Sequence, residues 1–341
     1  MTTTTRGGAG ATRRTLLATA SFATAAAAAR AQPAAAAAWR PAQQVRIIVP
    51  AAPGGTTDVM GRLCAQHLQA RWGGTPVVVE NRSGGGGTIG TMEVVRARPD
   101  GHTLLSGNIG PQAIAYSLFR NLPYRAEQLV PVAGQIRGPN VLVVNAATPV
   151  RTMEEFAAWL RASPGRVSYA STGVGQSPHL TPVWMLQLLD LRAIHVPFRG
   201  SAPAQVELLA GNVGFLVDNL TGVIEHIRGG RLRAIAVSSA DRSPELPEVP
   251  AMREALPELA NLEVNTWFGL FAPAGTPDPA VRAVNAEVNA LLDLPETRAR
   301  FAALGGVPLR LSPEEFADWV RRETEKWGAV IRREGLQLDA S

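Results

Sequence analysis

A chain of 341 residues, 46% apolar and 18% charged, can bury cores for two domains of ordinary size. Its formal charge of +5 does not read as a nucleic-acid surface. Arg6, Arg13, Arg14 and Arg30 supply four of those charges, and no dense basic run interleaved with aromatics follows. The single cysteine, Cys64, excludes an internal disulfide and reads as a small core residue at helical spacing. The single lysine, Lys326, excludes the P-loop pattern and leaves little room for Schiff-base chemistry.

The N-terminus reads as an export signal of residues 1–31. Thr12-Arg13-Arg14-Thr15-Leu16-Leu17 is a twin-arginine arrangement, and a small-residue apolar run ends at Ala29-Arg30-Ala31, a small-x-small cleavage pattern. Cleavage after Ala38 is the alternative. The run is dominated by alanine with serine and threonine, which makes a poor lipid span. The expected location of the mature chain is the periplasm.

Past a polar lead-in, strands and helices alternate. Arg46–Pro50 reads as a strand, Thr57–Arg71 as a helix, Val77–Glu80 as a strand, Thr88–Ala97 as a helix and Thr103–Ser106 as a strand, an order that predicts an α/β fold with a mostly parallel sheet. Asn140–Asn145 reads as a buried strand, and Thr152 with Glu155 forms a capping-box pattern for the next helix. A second series follows. It has extended runs at Val167–Ala170, Ile194–Pro197, Val213–Val217, Val223–Ile227 and Leu232–Val237, with helices from about His179 to Leu189 and from Ala202 to Ala210.

Leu262–Pro273 is another long apolar passage, leading to a helix capped at Thr276-Pro277 and a last helix opened by Ser312-Pro313-Glu314-Glu315. In that last helix Phe316, Trp319, Val320, Trp327, Val330 and Ile331 form one stripe, as expected of a helix packed on a sheet. If both long apolar passages cross between lobes, domain 1 is discontinuous (40–142 and 267–341), domain 2 (146–262) is inserted, and the hinge strands lie at about 140–145 and 263–269.

The chemistry concentrates in strand-to-helix turns. Ala52-Pro53-Gly54-Gly55-Thr56-Thr57-Asp58 aims unpaired N–H groups at one point, with Thr56 or Thr57 expected to cap and no basic side chain alongside. Asp58 would repel an inward anion, so it is expected to bond backbone N–H groups or to accept from an ammonium-bearing ligand. Ser171-Thr172-Gly173 through Gln176, Ser177 and His179 repeats the pattern. As a serine-hydrolase elbow it lacks the closing glycine, so hydroxyl and N–H donors to a carboxylate are the better reading. Phe198-Arg199-Gly200-Ser201-Ala202 and Asp218-Asn219 are two further turns, Arg199 being a candidate carboxylate clamp.

Gly85-Gly86-Gly87-Thr88-Ile89-Gly90 matches the dinucleotide-loop spacing, but follows the second strand and reads as a close-packed loop. The five histidines show no zinc-ligand spacing. No metal, cofactor or catalytic residue is expected.

Taken in order, these motifs resemble the extracytoplasmic solute receptors of tripartite tricarboxylate transporters, the Bug-type binding proteins. The resemblance rests on Val49-Pro50 with Pro53-Gly54-Gly55 and Asp58, on Val79-Glu80-Asn81-Arg82, and on Pro99-Asp100-Gly101-His102-Thr103-Leu104-Leu105. It continues through Tyr169-Ala170-Ser171 with His179-Leu180, through His195 to Pro203, and through Trp267 to Pro277. The resemblance implies a two-lobed periplasmic binding protein of type II-like form, each lobe a mostly parallel sheet flanked by helices, joined by two crossover strands. It implies a monomer that closes on a small carboxylate, without turnover, and presents it to integral membrane permease subunits. The turns at Pro53 to Asp58 and Ser171 to His179 would grip the carboxylate, while Gly107-Asn108, Phe198 to Ala202 and Asp218-Asn219 would line the rest. Ala51, Phe198-Arg199, Val174 and Gln176 depart from the family's usual residues, which leaves the identity of the solute open. A sensor domain serving a signalling partner, or a hydrolase or lyase on the same shape, are the alternatives.

Overall fold

The computed structural model describes residues 39–338. The export signal and both cleavage positions lie outside the described residues. The first elements are β1 (Val45–Val49), α1 (Thr56–Arg71), β2 (Val77–Asn81), α2 (Thr88–Val95), β3 (Thr103–Asn108) and α3 (Ala115–Leu118). The middle of the chain holds β4 (Leu129–Asn145), α4 (Met153–Ala162), β5 (Ser168–Ser171), α5 (Ser177–Leu188), β6 (Ile194–Pro197), α6 (Ser201–Leu209), β7 (Phe215–Asn219), α7 (Leu220–Arg228) and β8 (Leu232–Val237). It ends with α8 (Met252–Ala255), β9 (Asn265–Pro273), α9 (Asp278–Asp293), α10 (Pro295–Ala303), β10 (Val307–Pro308) and α11 (Pro313–Glu334).

The strands run in the order β2-β1-β3-β9-β4-β7-β5-β6, with β8 and β10 also on β4. The outer strands are parallel: β1 lies between β2 and β3, and β5 between β6 and β7. The middle is antiparallel, because β4 and β9 carry the chain between the two parallel sets. From Leu129 to Pro139, β4 pairs with β9; from Asn140 to Asn145 it pairs with β7 and β8. Ser238 fastens the change of partners, since its hydroxyl donates to the Val264 carbonyl (2.6 Å) and accepts from the Asn140 amide (2.9 Å).

Each set of strands has its own core. Ile47, Met60, Leu68, Leu270 and Val284 are buried between the first set and its helices, and Val141, Leu208, Leu216 and Ile224 fill the second. Each such side chain removed from water contributes roughly 1.5–3 kcal/mol. A third cluster joins Phe156 and Phe215 to Trp267, Phe271, Phe316 and Trp327. Helix α11 enters it behind the expected Ser312–Glu315 capping box and ends at Gly335, whose φ is 64°. Phe316, Trp327, Val330 and Ile331 of its stripe are buried, while Trp319 and Val320 are half-buried.

Three local expectations change. Val223–Ile227 is not extended: it lies inside α7, where Leu220, Val223 and Ile224 turn one helical face inward. Five residues with three apolar positions, Val223, Ile224 and Ile227, do not separate strand from helix. Thr276 does not cap α9, whose N-cap is Pro277; its hydroxyl instead donates to the Pro273 carbonyl. The strand expected at Asn140–Asn145 begins at Leu129, because Pro131, Arg137, Gly138 and Pro139 interrupt the apolar pattern without ending the pairing.

Candidate ligand-binding site

A cavity of about 330 Å³ opens where the turns of the two strand sets meet. Five helices begin at its wall: α1 at Gly55 to Thr57, α2 at Gly87, α5 at Gln176 to Pro178, α6 at Gly200-Ser201 and α7 at Asn219. None has a side-chain hydrogen bond from its N-cap residue, whereas the remote α4 is capped by the Thr152 hydroxyl. Neither Thr56 nor Thr57 serves as the cap expected from the sequence, since both lie inside α1 behind an N-cap glycine. The first N–H groups of an α-helix lack intrahelical acceptors and carry the positive end of its dipole. Five such ends around one cavity make a field that favours an anion.

Of the residues expected at the site, Gly55, Thr56, Asn108, Thr172, Gly173, Gln176, Ser177, Phe198, Arg199, Gly200, Ser201 and Asn219 line the cavity. Among the described residues that line it, Arg199 is the one charged side chain. The Ser177 hydroxyl and the Asn219 Oδ1 are buried and have no partner among the described residues.

Ala52, Pro53, Gly54, Asp58, Ser171, His179, Ala202 and Asp218 do not line it, and most of them do identifiable work behind the wall. The Ala52 amide donates to the Arg199 carbonyl at 2.9 Å. Asp58 is buried and accepts from the Gly54 amide (3.0 Å), Asn81 Nδ2 (2.9 Å) and Arg62 Nε (3.0 Å), so its oxygens hold the turn rather than an ammonium group. Burial pushes its carboxyl up, and the bonds from Arg62, Gly54 and Asn81 outweigh that and hold it below the ordinary value. An arginine therefore does accompany this turn, one helical turn beyond Asp58 and off the cavity wall. Asn81 also donates to the Ala51 carbonyl, and Arg82 bridges Glu80 and Glu93. Asn81 thus braces the first turn, while Glu80 and Arg82 tie β2 to β1 and α2 through Arg46 and Glu93.

Ser171 is fully buried, accepts from the Gly173 amide and lies 2.7 Å from His195 Nε2. A hydroxyl so enclosed is not placed to attack a bound solute. His179 stacks on His195 at 4.2 Å and accepts from the Gly175 amide through Nδ1. Burial, with His195 adding to it, pushes His179 down to about 3, and burial pushes His195 down to about 4. Both rings are neutral at pH 7. Asp218 is fully buried, and accepts from the Asn219 amide, the Ser201 hydroxyl and Gln205 Nε2. Burial raises its carboxyl, and those three donors only partly offset the rise.

The glycine run after β2 was not among the expected site residues, yet Ser83 to Gly87 and Ile89 line the cavity. Gly86 has φ 61°, its carbonyl accepts from Gln176 Nε2 (2.7 Å), and a Cβ there would lie 2.0 Å from the Val174 carbonyl oxygen. Glycine repetition alone signals a close approach without naming the partner. Among the described residues no cluster of three or more His, Cys, Asp or Glu side chains could hold a metal ion, and no helix is long and apolar enough to cross a membrane.

Residues 60–336 match the model of the tripartite tricarboxylate transporter family receptor. The protein BugT of Bordetella pertussis is 39% identical over 305 residues, covering 87% of this chain and 91% of its own. The periplasmic binding protein BugD superposes with a TM-score of 0.82 at 31% identity, covering 87% of this chain and 99% of BugD. MatC from Rhodopseudomonas palustris, solved with bound malate, gives 0.80 at 34%, covering 85% and 99%. An R. palustris protein solved with adipate gives 0.82 at 31%, covering 86% and 98%. Its α/β architecture is that of the periplasmic binding proteins, and the chain belongs to the tripartite tricarboxylate transporter receptor family.

Proposed function

We propose that this protein captures a small carboxylate in the periplasm and hands it to the integral membrane permease subunits of a tripartite transporter. The observation that carries the reading is the convergence of five helix N-termini, none capped by its N-cap side chain, on one cavity with Arg199 as the only charged side chain among its described lining residues. Neutral donors suit reversible capture: they favour an anion without the strong attraction of a buried ion pair. The adipate and malate of the two R. palustris proteins, both carboxylates, agree with that chemistry.

Residues 40–142 with 267–341 form one lobe in this reading, 146–262 the other, and 140–145 with 263–269 the hinge. Closure joins the Pro53 and Ser171 turns around the solute, and the closed face is what the permease recognises. The partners are one solute and the permease, with the receptor acting as a monomer and without turnover.

Protein unfolded and refolded to remove any co-purified solute, then screened against carboxylates by thermal unfolding, tests this. A solute at one hundred times its Kd adds about 2.7 kcal/mol, a rise of several degrees in Tm. A screen of mono-, di- and aromatic carboxylates in which none moves Tm sinks the reading.

A further inference from the structure

A path of buried hydrogen bonds runs from the cavity to the point where β4 changes partners. Ser177 lines the cavity at the first position of α5, and its carbonyl accepts from the Thr181 hydroxyl at 2.8 Å. That hydroxyl has one proton, already given to Ser177, so it accepts from Asn140 Nδ2 at 3.1 Å. The Asn140 amide donates to the Ser238 hydroxyl, which donates onward to the Val264 carbonyl. The Ser238 main chain repeats both links, its N–H to the Asn140 carbonyl and its carbonyl to the Val264 N–H. Ser238 therefore grips both crossing segments through main chain and side chain alike.

Thr181, Asn140 and Ser238 are fully buried. An apolar side chain at Asn140 would be less costly to bury, since its Oδ1 has no partner among the described residues. What the amide secures is a fixed link between β4 and α5. Asn140 also stands opposite Asn219, the N-cap of α7, in the β4–β7 ladder, so two helix starts of the cavity are mounted on it. The first turn of α5 is free to follow that mount. Pro182 has no N–H for the Pro178 carbonyl, and a hydroxyl bonded back to the carbonyl four residues earlier, as in Thr181, bends a helix.

We propose that Asn140, Thr181 and Ser238 are positioning residues that tie the start of α5 to the hinge, so that holding a solute at Ser177 and closing the lobes are one event. This rests on the carboxylate and hinge reading above and deepens it. A solute bonded at Ser177 fixes the first turn of α5, the turn fixes Asn140 through Thr181, and Asn140 with Ser238 fixes the crossing of β4. With the path cut, turn and hinge settle independently, and the coupling between them leaves the binding free energy.

Titration calorimetry tests this with whichever of malate, succinate, adipate and benzoate raises Tm most. Ser238, Asn140 and Val264 do not line the cavity, yet Ser238→Ala is expected to weaken binding at least about 5-fold. Thr181→Val, which keeps the shape and removes the hydroxyl, does the same, and Thr181→Ser, which restores the hydroxyl, restores the affinity. The double variant Ser238→Ala with Thr181→Val binds within about 2-fold of the weaker single variant, because a path already cut has nothing more to lose. Thr152→Ala, which uncaps the remote α4, is the control: it lowers the urea midpoint and leaves affinity unchanged. Native affinity in Ser238→Ala and Thr181→Val, whatever their stability, overturns the inference and leaves carboxylate capture standing, as do losses that multiply in the double variant. No binding by any of the four carboxylates overturns both. Ser238→Ala decides the point even if Thr181→Val does not fold.

Discussion

The amide of Ala52 donates to the carbonyl of Arg199 across the mouth of the cavity, at 2.9 Å. With the Thr56 and Thr221 hydroxyls 2.9 Å apart, and Gln176 Nε2 on the Gly86 carbonyl, it joins the turns of one strand set directly to those of the other. These bonds exist only when the sets are together, so in the closure proposed above they would add to the free energy of the closed form.

Gly86→Ala separates that contribution from backbone strain. A Cβ at Gly86 meets the Val174 carbonyl at 2.0 Å, so the two sets cannot approach as they do here. Overpacking of this kind costs about 1–3 kcal/mol, and solute affinity is expected to fall at least about 10-fold. Gly165→Ala is the control, since Gly165 has φ 66° with nothing within 4 Å of the added carbon. Calorimetric titration should find its affinity unchanged, although its unfolding free energy drops by about 1 kcal/mol.

Asp58→Ala removes the acceptor for Gly54, Asn81 and Arg62. Gly54 and Arg62 are exposed and Asn81 is half-buried, so water reaches the donors left behind and the loss is that of hydrogen bonds to a charged acceptor, about 1.5–3 kcal/mol. The folded carboxyl lies below its ordinary value, so the stability it contributes is present above the unfolded pKa of about 3.9 and is lost as pH falls through the folded value. Urea denaturation should therefore show a clear gap between the native protein and the variant at pH 7, narrowing at pH 3.

His179 works in the opposite direction of charge. Its folded pKa, about 3, lies below the unfolded value near 6.5, so the unfolded chain takes up a proton that the folded chain refuses. Stability is lost as pH falls below 6.5, by about 1.4 kcal/mol per pH unit from this residue alone. Between pH 7 and pH 5 the native protein should lose roughly 2 kcal/mol that His179→Gln, lower in stability at pH 7, does not lose. Equal losses in the two proteins would show that the ring is not held neutral.

Much of the fold was readable because local signals agreed with it: the β-branched run of β1, the apolar pattern of β8, the Ser312–Glu315 box, and the alternation that forecast parallel strands. What periodicity misjudged depended on tertiary pairing. The first half of β4 holds two prolines and an exposed arginine, yet continues because β9 supplies its partners. The turns were visible as glycine and hydroxyl clusters, but their depth was not. Whether Asp218 touches a solute or stands behind Ser201 depends on a fold-wide burial that no spacing encodes. Asp58 shows the same limit, because its partner Asn81 comes from a different strand.

The most direct measurement is the structure of the solute-loaded protein. Carboxylate oxygens are expected within about 3 Å of main-chain N–H groups at the starts of both α1 and α5, at Thr56 or Thr57 and at Ser177, one solute touching both strand sets. A carboxylate held by Arg199 alone at the rim, or a solute outside this cavity, would contradict the account.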